Sequence, residues 1–460
     1  FFFFFFFFFF FFFSFLFFSS FLFLFFFFFF CNSKKIIFFI TELPKQNFQE
    51  FQDQYHNQYQ YQDQDNNQDE NNNNKLLPLY EKGKLAQLKY LLEKKKIDIN
   101  AQDEYGWTPL IYACRWGDLE ITEMLLNEEG IDVNLENNSK ETALYSACYR
   151  GRTEIVEMLL RNKFIDVNKP NIDGWTPLMR ACTGGYIETV ELLLKDSRIN
   201  SFNVVDNYGQ TAFFSACRTG RVDIVQLLLK NPNVDINKAN KQGWTPLMSA
   251  SFHGHYEVVD LLINDKRIDD LNMENSNGQS ALYFACSSGR VDIVNLLKSK
   301  DVYLNKGNKE GWTPLIIACH RGHLNVVQSL LRDKRTFLNL GNRYDATPLF
   351  YACWKGQTEV VRYLLKNKYI QINKSNIYGT TPLMIASTSG NFEIVRLFLQ
   401  CGRKININKR DHNRKSCIDL ARENGHHDVA ELLLAYKDLQ NYFFFLICSF
   451  FLFFFFCFQK

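Results

Sequence analysis

Apolar residues along most of this chain recur at helical spacing, and the pattern restarts every 33–35 residues. Gly106–Gly117, GWTPLIYACRWG, shows one start. Thr108 has the side chain of an N-cap, whose hydroxyl accepts from an amide two or three residues on. Pro109 suits the first helical position, where its missing N–H is not needed. Leu110, Ala113 and Cys114 fall at i, i+3 and i+4, one face of a short helix. Gly117 ends that helix, since glycine takes the left-handed cap conformation without strain. A second helix follows, clearest one unit later, where Ile155, Val156, Leu159 and Leu160 make a wider stripe flanked by Glu154 and Glu157. Ile165-Asp166-Val167-Asn168 predicts a short alternating extended stretch, and a polar, finger-like turn leads to the next cap.

The same stretch returns as Lys140–Gly151 (KETALYSACYRG), Gly174–Gly185 (GWTPLMRACTGG), Gly209–Gly220 (GQTAFFSACRTG) and Gly243–Gly254 (GWTPLMSASFHG). It continues through Gly278–Gly289, Gly311–Gly322, Asp345–Gly356, Gly379–Gly390 and, degraded, Arg414–Gly425, ten copies in all. Self-similarity at this period means stacked repeats. The unit resembles the ankyrin repeat, whose T-P-L-H-x-A signature and length of about 33 residues it matches, over Leu76 to about Leu434. The resemblance implies an all-α solenoid of helix-turn-helix units with β-turn or hairpin fingers. One departure is systematic. Where the family has histidine after the leucine, this chain has Ile111, Tyr145, Met179, Phe214, Met248, Tyr283, Ile316, Phe350 and Met384, so the family's histidine bonds between neighbours are not expected here. Copies one, three, five and seven carry GWTPL, with Trp107, Trp175, Trp244 and Trp312, whereas two, four and six read ETAL, QTAF and QSAL. The duplicating unit is therefore read as a pair of repeats.

The ends differ from this body. Phenylalanine fills 24 of the first thirty positions and ten of the last twenty. Residues 1–45 are read as thymine-rich non-coding sequence carried into the translation, in preference to a hydrophobic segment, and they lack the basic n-region and cleavage site of a signal peptide. Residues 46–74, rich in Gln and Asn with interleaved Tyr and Asp, have too little aliphatic content for a core and read as disordered. The repeat domain is placed at 75–438, opened by a capping helix pair at Leu76–Asn100 and closed by a polar last repeat, as a solenoid requires. Residues 439–460 have the same two readings as the start: translated non-coding sequence or, through the 17 residues Tyr442–Phe458, a membrane anchor just short of a usual span.

Charge adds little. Fifty-two basic against 49 acidic residues give a net +3, with no concentrated basic stripe to suggest nucleic acid. Seven cysteines, Cys114, Cys148, Cys182, Cys217, Cys286, Cys319 and Cys353, share one slot in the repeat. Equivalent slots at helix-packing distance, about 8–10 Å, are too far apart for disulfides, so free thiols in a reducing, cytoplasmic setting are expected. No C-x-x-C pair occurs, which argues against structural zinc. No phosphate loop, H-E-x-x-H or G-x-S-x-G motif is present, so no catalytic residue, cofactor or metal site is assigned. The pairs His253/His255 and His320/His323 and the doublet His426-His427 are read as structure and surface. The Asp and Asn of Ile131–Asn134 and its equivalents are read as satisfying turn backbones.

These readings leave an interaction protein. A solenoid presents a long concave face, and the resemblance implies partner contacts from finger tips, the residue after the finger glycine, and the end of the first helix. The positions that match are Tyr105, Trp107, Arg115 and Trp116; Glu141, Tyr149 and Arg150; Asp173 and Trp175; Tyr208, Gln210 and Arg218; Trp244, Phe252 and His253; Trp312, His320 and Arg321; Tyr344, Trp354 and Lys355; and Tyr378. Aromatics and arginine dominate binding hot spots. The alternative for the GWTPL tryptophans is packing between neighbouring fingers. The expectation is a non-enzymatic, monomeric scaffold or adaptor for protein partners in the cytoplasm; the alternative is a membrane-tethered scaffold held by the C-terminal apolar tail.

Overall fold

The computed structural model of the chain describes residues 98–199 and 202–458, with side chains as far as Tyr442. The chain divides into Phe1–Asn73 and Asn74–Lys460, and every described residue belongs to the second unit. The Phe-rich start, the Gln/Asn tract and the capping helices at 76–97 lie outside the described residues.

Ten helix pairs follow one another without a strand among the described residues, a tandem all-α solenoid. The first pair is Pro109–Trp116 and Leu119–Leu126, and the last is Cys417–Glu423 and His427–Phe458. First helices stack on first helices of the neighbouring units and second helices on second helices, so the array has two layers. The local sequence explains each start. In all ten pairs a Thr or Ser side chain caps the first helix, as in Thr108 Oγ1 accepting from Ile111 N at 3.2 Å. Such a cap is worth about 1 kcal/mol. The core lies between the layers: Leu110, Ile111, Ala113 and Cys114 from one first helix and Ile155, Val156 and Leu159 from the next second helix are all buried. The residues that replace the family's histidine are buried too, Tyr145, Phe214 and Ile316 among them. The seven cysteines of the common slot are free and buried.

Three contacts recur at the joints. Each finger accepts one backbone bond from the next, as Tyr105 O from Asn138 N at 2.9 Å, Glu310 O from Arg343 N at 3.1 Å and Tyr378 O from His412 N at 3.1 Å. A row of asparagines bridges the turns between repeats. Asn305 Nδ2 donates to Arg335 O at 2.6 Å and its Oδ1 accepts from Phe337 N at 2.7 Å; Asn100 does the same with Gly130 O and Asp132 N, at 2.8 and 2.9 Å. Lastly, from the second repeat on, the residue before each second helix reaches back over the preceding repeat. His255 Nε2 lies 2.9 Å from Arg218 O and its ring covers Gly220, where φ is +71° and an added Cβ would sit 2.4 Å from the imidazole. His323 stands 3.0 Å from Ser287 O in the same way.

Two element boundaries differ from expectation. Ile165–Asn168 and its equivalents form tight turns instead of an extended stretch, because the aspartate folds the chain on itself: Asn168 N donates to Asp166 Oδ1 at 3.0 Å. The fingers are turns joined by single bonds, the β-turn form of the expected fingers. At the other end, the last helix does not stop near Leu434 but runs on to Phe458, since no Gly or Pro interrupts it. Among the described residues no helix is long and apolar enough to cross a membrane; the side chains after Tyr442, where the anchor was read, lie outside them.

Candidate partner-binding surface

The ends of the first helices and the finger tips form one continuous side of the array, and the expected contact residues divide there by exposure. Trp116 is 53% exposed, while Trp175, Trp244 and Trp312 are only 2%, 4% and 4% exposed. Tyr208 and Tyr378 at finger tips are exposed, as are Asp173, Arg150, Arg321 and Lys355. Tyr105, Trp107, Glu141, Tyr149, Arg218, Phe252, His253, Tyr344 and Trp354 are half-buried. Arg115, Gln210 and His320 are buried with the three tryptophans.

In repeats one to three, guanidinium groups are layered between rings. Arg115 lies 5.4 Å from the Trp107 ring centre and 4.5 Å from that of Tyr149, and it pairs with Glu141 at 3.5 Å. Arg180 lies 5.0 Å from the Tyr149 ring centre and 4.5 Å from that of Trp175. Its Nε donates to the Tyr145 hydroxyl at 2.5 Å, and burial pushes that phenol's pKa up. Arg150 approaches Tyr149 at 5.3 Å. Each such cation–π contact is worth about 0.5–2 kcal/mol, more when desolvated, so the rings fix charges whose long side chains would otherwise be mobile. Arg180 was not anticipated as a site residue. Its place at the seventh position of the repeat, equivalent to Tyr112 on the same helix face, was the available signal.

Repeats five to eight hold aromatic clusters. Trp244 meets Phe284 of the next repeat at 3.9 Å between ring centres and Phe252 at 5.7 Å. Trp312 meets Tyr351 of the next repeat at 4.2 Å and His320 at 5.0 Å. These two tryptophans pack between repeats, while Trp107 and Trp175 lie against Tyr112 and Arg180 of their own unit. Trp354 rests beside Tyr351 and His320, with Lys355 Nζ 4.8 Å from its ring. Burial drives the His253 pKa down to about 4 and that of His320 to about 3, with Arg218, His255 and Arg290 around the first and Lys355 and Arg321 near the second adding to the effect. Both rings are therefore neutral at pH 7. Burial raises the Asp206 pKa, opposed by its backbone amide bonds and by Arg218 and Lys241.

No group of three or more His, Cys, Asp or Glu among the described residues is placed to hold a metal ion. What the surface offers is shape, ring faces and fixed positive charge, which is the chemistry of recognition. The fold is that of a tandem-repeat solenoid, an architecture that presents an extended face. The family model "Ankyrin repeats (3 copies)" matches successive overlapping windows from 132 to 442, and "Ankyrin repeats (many copies)" matches 79–126. The chain belongs to the ankyrin-repeat family. It is 32% identical over 99 residues to an ankyrin repeat and KH domain-containing protein of Caenorhabditis briggsae, covering 22% of this chain and 4% of that one. It is 33% identical over 98 residues to a fem-1 homolog A-like protein of Mus musculus, 21% of this chain and 14% of the relative. A glycerophosphocholine phosphodiesterase of Candida albicans is 33% identical over 101 residues, 22% and 9% of the two chains. The matched segments are thus small parts of longer relatives.

Proposed function

We propose that the protein is a non-enzymatic scaffold or adaptor that binds protein partners along the concave face of its ankyrin array. The observation that carries this reading is the coincidence, at the ends of first helices, of accessible rings with fixed cations: Tyr149 beside Arg115 and Arg150, and Trp354 beside Lys355, with Trp116 exposed at the equivalent end of the first repeat. Within that surface the buried Trp175, Trp244, Trp312, Gln210 and His320 shape the face, and the accessible residues touch the partner. A reducing, cytoplasmic location suits the row of buried free thiols, and subcellular fractionation checks it.

The test is a comparative pull-down from cell lysate with the full chain and with Trp116→Ala/Trp354→Ala. Both proteins should show the same helical circular dichroism, with Trp116→Ala alone leaving the melting temperature nearly unchanged. A partner held by the native chain and lost by the variant supports the reading. A partner held equally by both places the contact elsewhere and overturns it, and a large fall in melting temperature from Trp116→Ala would make that ring part of the core.

A further inference from the structure

Charge is segregated between the two helical layers. From Pro109 to Thr388 the first helices of nine successive repeats contain no aspartate or glutamate at all. Carboxylates sit instead in the second helices, as Glu120, Glu154, Glu188, Asp223, Glu257 and Asp292. The first-helix layer carries Arg115, Arg180 and Arg218, with Arg150 at a helix end. Cations elsewhere are commonly paired, for example Arg198 with Asp196, Arg267 with Asp265 and Arg396 with Glu393. Among the described residues, no carboxylate lies within ion-pair distance of Arg150 or Arg180. The first-helix layer thus carries cations and no carboxylate, while the carboxylates on its side, Glu141 and Asp173 among them, stand on the fingers.

Helix dipoles account for a cation in a last helical turn. They do not account for nine helices free of carboxylates, nor for the Arg150 and Arg180 guanidinium groups held against ring faces. We infer that the face of repeats one to four, centred on Arg150 and Arg180, binds an extended acidic peptide; this rests on the scaffold reading and names its partner class. Adjacent repeats lie roughly 8–10 Å apart, and three residues of a peptide extended as polyproline II span about 9 Å and return to the same face. Carboxylates at every third residue therefore keep step with successive repeats, and arginine presents them with a two-donor edge. The Tyr149 ring lies beside both arginines to take an apolar residue between the charges, and Trp116 is exposed at the end of the preceding first helix. Nucleic acid fits less well, because the first helices of repeats five and six carry no Arg or Lys after Arg218 and the next is Arg321 in repeat seven.

Fluorescence anisotropy on the full chain tests this, using a labelled twelve-residue peptide with Asp at every third position and Leu between. Binding should weaken at least tenfold in Arg150→Gln/Arg180→Gln, fall with added salt, and be unchanged in Arg332→Gln, a control on a second helix. Arg150→Gln alone, at an exposed position, should reproduce part of the loss without altering the fold. The inference is overturned if the peptide does not bind the native chain, if Arg150→Gln binds as well as the native chain, or if a single-stranded RNA of equal charge binds more tightly. Should the peptide fail while the tryptophan variant still loses its partner, only the partner class is wrong. If the variant keeps its partner, the scaffold reading has lost its site, whatever the peptide does.

Discussion

His253 and His320 show what burial does to a single side chain in this array. Both are neutral in the folded state, with pKa values pushed down to about 4 and about 3, against about 6.5 in an unfolded chain. The unfolded state therefore binds more protons below pH 6.5, and stability falls as pH drops through that value toward the folded pKa. Each imidazole should oppose folding by up to about 2 kcal/mol at pH 5. Scanning calorimetry should find a lower melting temperature at pH 5 than at pH 7, and His253→Gln/His320→Gln should reduce the gap. An equal gap in the variant would mean the rings are not desolvated. Side chains of this kind were only half legible beforehand. Trp175, Trp244 and Trp312 share the GWTPL letters with the half-buried Trp107, but their burial depends partly on what the adjacent unit supplies at its seventh position, Phe284 for Trp244 and Tyr351 for Trp312. A pattern internal to one repeat does not contain that register.

Element by element, the helices were the readable part, because Thr-Pro at the start and Gly at the end are local signals that act through backbone geometry alone. The connections were not. An alternating Ile-Asp-Val-Asn suggests an extended segment, yet Asp132 Oδ1 takes the amide of Asn134 at 2.9 Å and turns the chain. The asparagine that follows then leaves its own repeat, bridging to the next through both amide atoms, and a bond across 30 residues has no signature in one unit. Asn305→Ala removes two such bonds at once and should cost about 1–3 kcal/mol, since each is worth about 0.5–1.5 kcal/mol net. Thr313→Ala, which removes one cap bond in the next repeat, should cost about 1 kcal/mol. Urea titrations read both as shifts in midpoint at constant slope. If Asn305→Ala has no effect, the ladder is geometry without stabilisation, and the finger bonds and the core carry the joint.

For the molecule as a whole, a solenoid's stability is a sum of unit terms and nearest-neighbour terms, so the identity of the repeating unit has a thermodynamic meaning. The alternation of GWTPL with QTAF and QSAL marks the unit as a pair, and the geometry gives that mark a contact: Trp244 of repeat five stacks on Phe284 of repeat six, and Trp312 of repeat seven on Tyr351 of repeat eight. Excising residues 243–310 removes one whole pair together with its internal aromatic contact, and it brings Gly311 into the place of Gly243. Excising residues 243–277 removes only the first member, leaving Phe284 opposite Gln210. Both variants keep every cap and finger motif in phase. The pair excision should unfold in one transition with a smaller urea slope, in keeping with the surface removed, and with a midpoint close to that of the full chain. The single excision should unfold at a lower midpoint than the pair excision although it is the longer protein, because it strands Phe284 without its tryptophan. Equal midpoints would reduce the two-repeat alternation to a record of duplication with no bearing on packing.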